Sequence, residues 1–186
     1  MLTKEHGKKL IELAKKTISL RLDGKESKVS EELKKEFIDK RGAFVTLTID
    51  GELRGCIGIV EAIYPLWQTI VHAAESAAFG DPRFGPLSKD EFENVKAEIS
   101  ILTDAELIKA SKAEDYLKKI KIGVDGLIVD GEYGKGLLLP QVATEWRWNV
   151  KDFLEHTCEK AGLHRGAWKD LDNKIYKFQA QIFTEE

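Results

Sequence analysis

The sequence predicts an α+β protein built on a mainly antiparallel sheet flanked by helices, and three observations carry that expectation. Apolar residues alternate with period two in runs joined by tight turns, as in "GAFVTLTIDGELRGCIGIV", Gly42–Val60. Elsewhere the apolar period switches to the 3.6 residues of an amphipathic helix, first over Lys4–Leu20. Hairpins and helices are interspersed along the chain, which suits an antiparallel sheet better than a βαβ repeat.

Taken in order, Leu10, Leu13, Ala14, Thr17 and Ile18 share one face of the first helix. The polar stretch "DGKESKVS" ends at Ser30, an N-cap for the short helix "EELKKEF". In the hairpin, Val45, Leu47 and Ile49 alternate with Phe44, Thr46 and Thr48, and Asp50-Gly51 supplies two positive-φ positions for the turn. On the returning strand Leu53, Gly55, Ile57 and Ile59 are expected on one face, with Arg54, Cys56, Gly58 and Val60 on the other. Pro65 opens a helix over "LWQTIVHAAESAAF", whose stripe of Leu66, Ile70, Ala73, Ala74 and Ala77 permits close packing. A rigid loop, "GDPRFGPL" (Gly80–Leu87), leads to a capping box between Ser88 and Glu91. "VKAEISILT" is a strand with Val95, Ala97, Ile99 and Ile101 on one face.

Ser111 and Glu114 have the spacing of a second capping box, before "DYLKKI". "GVDGLIVDGEYGKGLLLP" reads as two strands around a glycine-rich loop, Asp130–Gly136. Gln141–Ala161 is expected as one helix with Trp146, Val150, Phe153, Leu154, Thr157 and Ala161 facing the core, stopped by Gly162 at C′. The last strand is "YKFQAQIF", with Tyr176, Phe178, Ala180 and Ile182 on its buried face.

At 186 residues this is one compact domain, or one domain carrying a small lobe. Its 29 basic and 32 acidic residues are scattered, so the chain has no electrostatic footprint for nucleic acid. No apolar run approaches the roughly 20 residues of a membrane span, and "MLTKEHGKKLIELAKK" lacks a signal peptide's apolar region, so a cytoplasmic protein is expected. Charged residues reach 33%, dominated by Lys and Glu, and Asn, Gln, Met and Cys are few, the bias of high-temperature proteins. Two cysteines and four histidines offer no spacing that gathers four metal ligands, and no metal is expected.

The candidate chemistry centres on "LRGCIG", Leu53–Gly58. Cys56 is the candidate nucleophile or redox thiol, and Arg54, two residues earlier, is a cation that favours a thiolate and clamps an anion. Gly55 and Gly58 leave space for a ligand or another backbone. The competing reading makes Cys56 a small buried hydrophobe, with Arg54 paired to a carboxylate at the edge of the core. Asp81 and Arg83 in the proline-held loop either present themselves to a ligand or staple the loop to the sheet. Gln141 and Glu145 sit where a strand hands over to a helix N-terminus that favours anions, with ordinary capping as the alternative. His72 is the base nearest the strand in sequence and is expected half-buried, whereas His6 and His164 are surface residues. His156 and Cys158, two apart on a helix, project about 200° from each other and share no ion. "GEYGKG" lacks the ending of a phosphate-binding loop. The sequence names no cofactor.

The ordered set "LRGCIG", "AAFGDPRFGPL", "EISILT", "GLLLPQVATEWRW" and "FLEHTCEKAGL" resembles the AMME-syndrome candidate protein (AMMECR) family, over nearly all of Gly42–Trp168. The resemblance implies a two-lobed α+β fold, a larger lobe on an antiparallel sheet and a smaller α+β lobe beside it, within a single AMMECR-type domain over residues 1–186. It implies no particular activity. Family members are fused to or encoded beside non-heme-dioxygenase-like and radical-SAM proteins, company that hints at redox or modification chemistry. Three functions stay open: a Cys56-dependent enzyme, a non-catalytic module binding a small molecule or protein partner in a pocket lined by the LRGCIG strand, and an adaptor in a larger complex using the aromatics of "EWRW".

Overall fold

The computed structural model describes residues 2–132 and 134–185. The strands run β1 (Ala43–Ile49), β2 (Glu52–Ile59), β3 (Val95–Leu102), β4 (Glu106–Leu107), β5 (Gly126–Gly131), β6 (Gly134–Leu138), β7 (Lys174–Phe178) and β8 (Ala180–Thr184). The helices run α1 (Lys4–Leu22), α2 (Glu31–Glu36), α3 (Leu66–Phe79), α4 (Lys89–Phe92), α5 (Glu114–Lys119), α6 (Pro140–Glu145) and α7 (Val150–Lys160). The chain divides into two compact units, one comprising the residues up to Leu102 with those from Gln181 on, the other Thr103–Ala180. Each carries a four-stranded sheet, as an α+β chain of hairpins and helices should.

In the first unit the order is β2-β1-β3-β8, which leaves β2 at an edge. Asp50 and Gly51 take positive φ, 52° and 82°, and close the β1–β2 hairpin as their residue types require. Ala43, Val45 and Leu47 of β1 and Ala97, Ile99 and Ile101 of β3 face one way and are buried with Leu10, Ala14 and Ile18 of α1 and Ile70, Ala74 and Ala77 of α3. Each Val, Leu or Ile so buried contributes about 1.5–3 kcal/mol. Both α1 and α3 pack on this inner face. Ser30 caps α2, and Ser88 and Glu91 form the expected capping box on α4.

One register irregularity decides what the opposite face carries. Ile49 pairs with Glu52 and Thr48 with Leu53, but Leu47 pairs with Gly55, so Arg54 is an extra residue bulged out of the ladder. An uninterrupted ladder from the same turn would set Cys56 against Val45, on the buried face. With Arg54 skipped, Cys56 pairs with Thr46 on the outer face instead. The expectation that Leu53 and Gly55 share a face is therefore corrected: Leu53 is 41% exposed and Gly55 is buried against α3.

In the second unit the order is β4-β7-β5-β6. Leu127, Val129 and Ile175 form a core with Phe153, Leu154 and Cys158 of α7 and with Trp168 of a 3-10 turn, Arg165–Lys169. The β5–β6 loop falls where expected, though Tyr133 lies outside the described residues. Three expectations fail here. Gln141–Ala161 is two helices: Arg147 takes φ 53°, the Trp148 N–H turns back to the Ala143 carbonyl at 2.8 Å, and Asn149 caps α7 from outside. Trp146 thus leaves the core and is 68% exposed, while Gly162 does follow α7 with φ 75°. Ser111 and Glu114 form no capping box, because Asp115 accepts from the Ser111 hydroxyl and the Ser111 and Lys112 N–H groups. "YKFQAQIF" is two strands. Gln179 interrupts it by exchanging hydrogen bonds with Thr103, so Phe178 is buried and Ile182 is 49% exposed.

At Gly55 the outcome of a substitution follows from contact distance. A Cβ there would fall 2.1 Å from the Ala77 carbonyl oxygen of α3, a backbone atom that only a shift of the whole helix could relieve. Gly55→Ala is expected to destabilise the protein by about 2–3 kcal/mol. Gly85→Ala, with nothing within 4 Å of the added carbon, should stay within about 0.5 kcal/mol of wild type. Denaturant unfolding of the two variants measures the difference.

Candidate functional site

Residues of an antiparallel strand send their N–H and C=O groups to the same side, alternately inward to the neighbour and outward. On edge strand β2 the backbone groups of Cys56 face outward, and side chains rather than a strand satisfy them. Asp81 Oδ2 accepts from the Cys56 N–H at 2.9 Å, and Arg83 Nη2 donates to the Cys56 carbonyl at 3.2 Å. The two side chains are joined by Arg83 Nη2 to Asp81 Oδ2 at 2.7 Å and Nε to Oδ1 at 3.0 Å. The loop "GDPRFGPL" is thus the staple, and it blocks this edge from further strand pairing.

Arg54, freed from the ladder, reaches along the same edge. Its Nε and Nη2 make a two-pronged pair with Glu91 at 2.7 and 3.1 Å, and Nη2 also donates to the Gly85 carbonyl. The Phe84 ring meets both guanidinium groups, each 5.6 Å from its centre. Arg54 is therefore matched to a carboxylate and not to the Cys56 thiol. Gly55 and Gly58 open no ligand space either: α3 fills the vacant side of Gly55, and the Phe44 ring lies across Gly58.

The Cys56 side chain points the other way, onto the outer face. Because its backbone groups are turned to the edge, Cys56 and Thr46 form a non-hydrogen-bonded pair, the kind with the closest side chains. The Cys56 Sγ and Thr46 Oγ1 atoms are 3.1 Å apart. Thr46 pairs in turn with Glu98 of β3, which completes a row of thiol, hydroxyl and carboxyl across three strands. The neighbouring row is Gly58, Phe44 and Ser100. Glu98 is half-buried, its side chain makes no ion pair or hydrogen bond among the described residues, and its carboxyl pKa is raised by burial. Thr46 and Glu98 were not singled out from the sequence. The polar positions of two alternating strands were their signal, but the bulge sets which of them meets Cys56.

His72 is exposed on α3, beside Gln68 and Tyr64, and the sheet separates it from the Cys56 thiol. In the second unit Cys158 is fully buried, which pushes its thiol up to about 11. Gln141 is half-buried there, with Oε1 buried and unpaired among the described residues. Glu145 is exposed at the C-terminal end of α6, where the helix dipole disfavours a carboxylate, which corrects its expected place at an anion-binding N-terminus. A hollow of ≈ 400 Å³ between α1 and α2 is lined by charged groups such as Lys9 and Glu36, which pair with each other. Among the described residues no three His, Cys, Asp or Glu side chains are grouped so as to hold a metal ion, and no helix is long and apolar enough to cross a membrane.

Fold and row together define an α+β protein whose edge-stapled strand presents a thiol beside a hydroxyl and a carboxyl. The model of the AMMECR1 family matches residues 11–183, and the chain belongs to that family. A Methanocaldococcus jannaschii protein is 48% identical over 187 residues, covering 100% of this chain and 92% of the relative. A Methanothermobacter thermautotrophicus protein is 44% identical over 186 residues, covering 100% and 97%. The crystal structure of an uncharacterised Pyrococcus horikoshii protein superposes with a TM-score of 0.90 at 44% identity, covering 100% of this chain and 94% of that one. None of these names states an activity.

The staple makes stability depend on acid. Hydrogen bonds from Arg83, reinforced by the Cys56 and Arg83 N–H groups, hold Asp81 well below the usual carboxylate range. Arg54 and then the Ser88 N–H lower Glu91 from 4.5 to about 2. Both groups bind protons more readily in the unfolded chain. The stability they contribute is complete above the unfolded value and is lost as pH falls toward about 2 for Glu91 and lower for Asp81. Asp81→Asn should cost about 2 kcal/mol at pH 7, since Asp81 is buried but Arg83 half-exposed, and should flatten the acid loss. Urea unfolding at pH 7, 4 and 2.5 checks both; an Asn variant within about 0.5 kcal/mol of wild type at pH 7 would remove the staple's energetic role.

Proposed function

We propose that the outer face of the β2-β1-β3 row is a substrate-binding face and that Cys56 is its reactive group. The observation that carries this reading is the 3.1 Å approach of Cys56 Sγ to Thr46 Oγ1, with Glu98 next in the same row. A thiol is inert when packed among aliphatic side chains and useful when a hydroxyl can donate to its anion. Thr46 holds the sulfur in one orientation and donates to it once it is ionised. Glu98 is the one member of the row whose burial is offset by no partner among the described residues, a cost that binding sites bear more often than cores do. Arg54, Asp81 and Arg83 act as positioning residues in this reading. They fix the Cys56 backbone so that its side chain stays on the outer face.

A non-catalytic adaptor or binding module in a larger complex is a second reading. It is favoured by Trp146, 68% exposed and stacked on Trp148, whose ring lies 3.9 Å from that of His156.

Iodoacetamide labelling near neutral pH separates them. Cys56 should react at least about tenfold faster than Cys158 in folded protein, since thiolate character and exposure set the rate. Thr46→Val should slow Cys56 about fivefold by removing the donor to the anion. Equal, slow labelling of both cysteines would make Cys56 a packing residue and leave the binding module.

A further inference from the structure

The charges around Cys56 also say what kind of substrate the face accepts. Two guanidinium groups lie at this edge, and each is matched by a carboxylate: Arg54 by Glu91 and Arg83 by Asp81. Neither is left over to hold a phosphate or carboxylate. Lys96, the next residue on the outer face of β3, is exposed and lies a row away from Cys56, opposite Thr48, and its charge helps to keep Glu185 ionised, a carboxylate that Lys15 contacts at 2.8 Å. Phe44, Thr46, Thr48 and Gly58 add no charge. Glu98 remains, the single charged group of the Cys56 row, with no ion pair among the described residues.

We propose that the substrate of this face carries a positive charge, an amine or similar cation, and that Glu98 is the residue that selects it. This rests on the reading of Cys56 as an accessible reactive group. Two strand spacings separate the Cys56 and Glu98 backbones, about 9–10 Å. A cation bound over Thr46 would lie within reach of both side chains. At that range, in a partly desolvated setting, one carboxylate favours a cation over an anion by about tenfold.

The test uses three methanethiosulfonate reagents: trimethylammonium-ethyl (cationic) and sulfonato-ethyl (anionic), which are comparable in size, and the smaller methyl reagent (neutral) as a reference. Each transfers its thioalkyl group to a thiolate, forming a protein disulfide and releasing methanesulfinate. Rates at Cys56 are measured by intact and peptide mass spectrometry and divided by those for free cysteine. The corrected cation-to-anion ratio is expected near tenfold in wild type, within twofold of unity in Glu98→Gln, and unchanged in Glu12→Gln on α1. Raising the salt of the wild-type reaction from about 20 mM to 500 mM should shrink the ratio severalfold, which tests the proposal even where the Gln variant does not fold. A ratio near unity in wild type, or one that Glu98→Gln or salt leaves intact, overturns the charge selection while the accessible thiol stands. No reaction of Cys56 with any of the three overturns both.

Discussion

The peptide of Cys56 offers one donor and one acceptor to the open edge of a sheet, and the Asp81–Arg83 pair answers both at once. A strand edge left bare would cost the hydrogen bonds or invite another chain. A further strand would satisfy it, but would also bury the region beside Cys56 under more backbone. An ion pair on a loop does the same work within one residue's width. It stays in place because Asp81 is buried and bonded on both oxygens, and because Arg54 and Glu91 anchor the far end of the same loop. The position of β2, the aim of its side chains and the shape of the loop depend on one another through this contact.

The bulge at Arg54 decides which side chains that anchored strand presents on each face. Without it, the hairpin register would bury Cys56 with Val45 and Leu47. With it, the thiol meets Thr46, and Arg54 is released toward Glu91. The inserted residue re-aims everything downstream on β2 by one position, which in a strand means the opposite face. Glycine at 55 is the counterpart: once the register has shifted, this residue faces α3, and only a residue without Cβ lets the Ala77 carbonyl approach.

Ion pairs recur in both units. Lys15 ties α1 to Glu185, and Arg165 reaches Glu159 while His156 contacts the same carboxylate from the helix. Such networks gain relative to isolated pairs as temperature rises, because the cost of dehydrating charges falls. The Lys- and Glu-rich composition and the thermophilic archaeal relatives are consistent with that use.

Local rules were enough to read much of this chain. Asp50-Gly51 specifies its turn, Ser30 and Ser88 specify helix starts, and the alternation in "VKAEISILT" specifies which residues of β3 are buried, because each depends on a few neighbouring residues. The resemblance carried by five ordered stretches was likewise legible and led to the family. What the chain's own letters left open was decided by contacts between distant segments. Arg54 met Glu91 rather than Cys56, Trp146 left the core where Arg147 turned the backbone, and "YKFQAQIF" was divided between two sheets at its bond to Thr103. The row of Cys56, Thr46 and Glu98 belongs to the same kind. Its members come from three strands, and period-two alternation names only two faces. Which face each strand turns to its neighbour is set by register, and one bulged residue, held out by a partner 37 positions away, chose it.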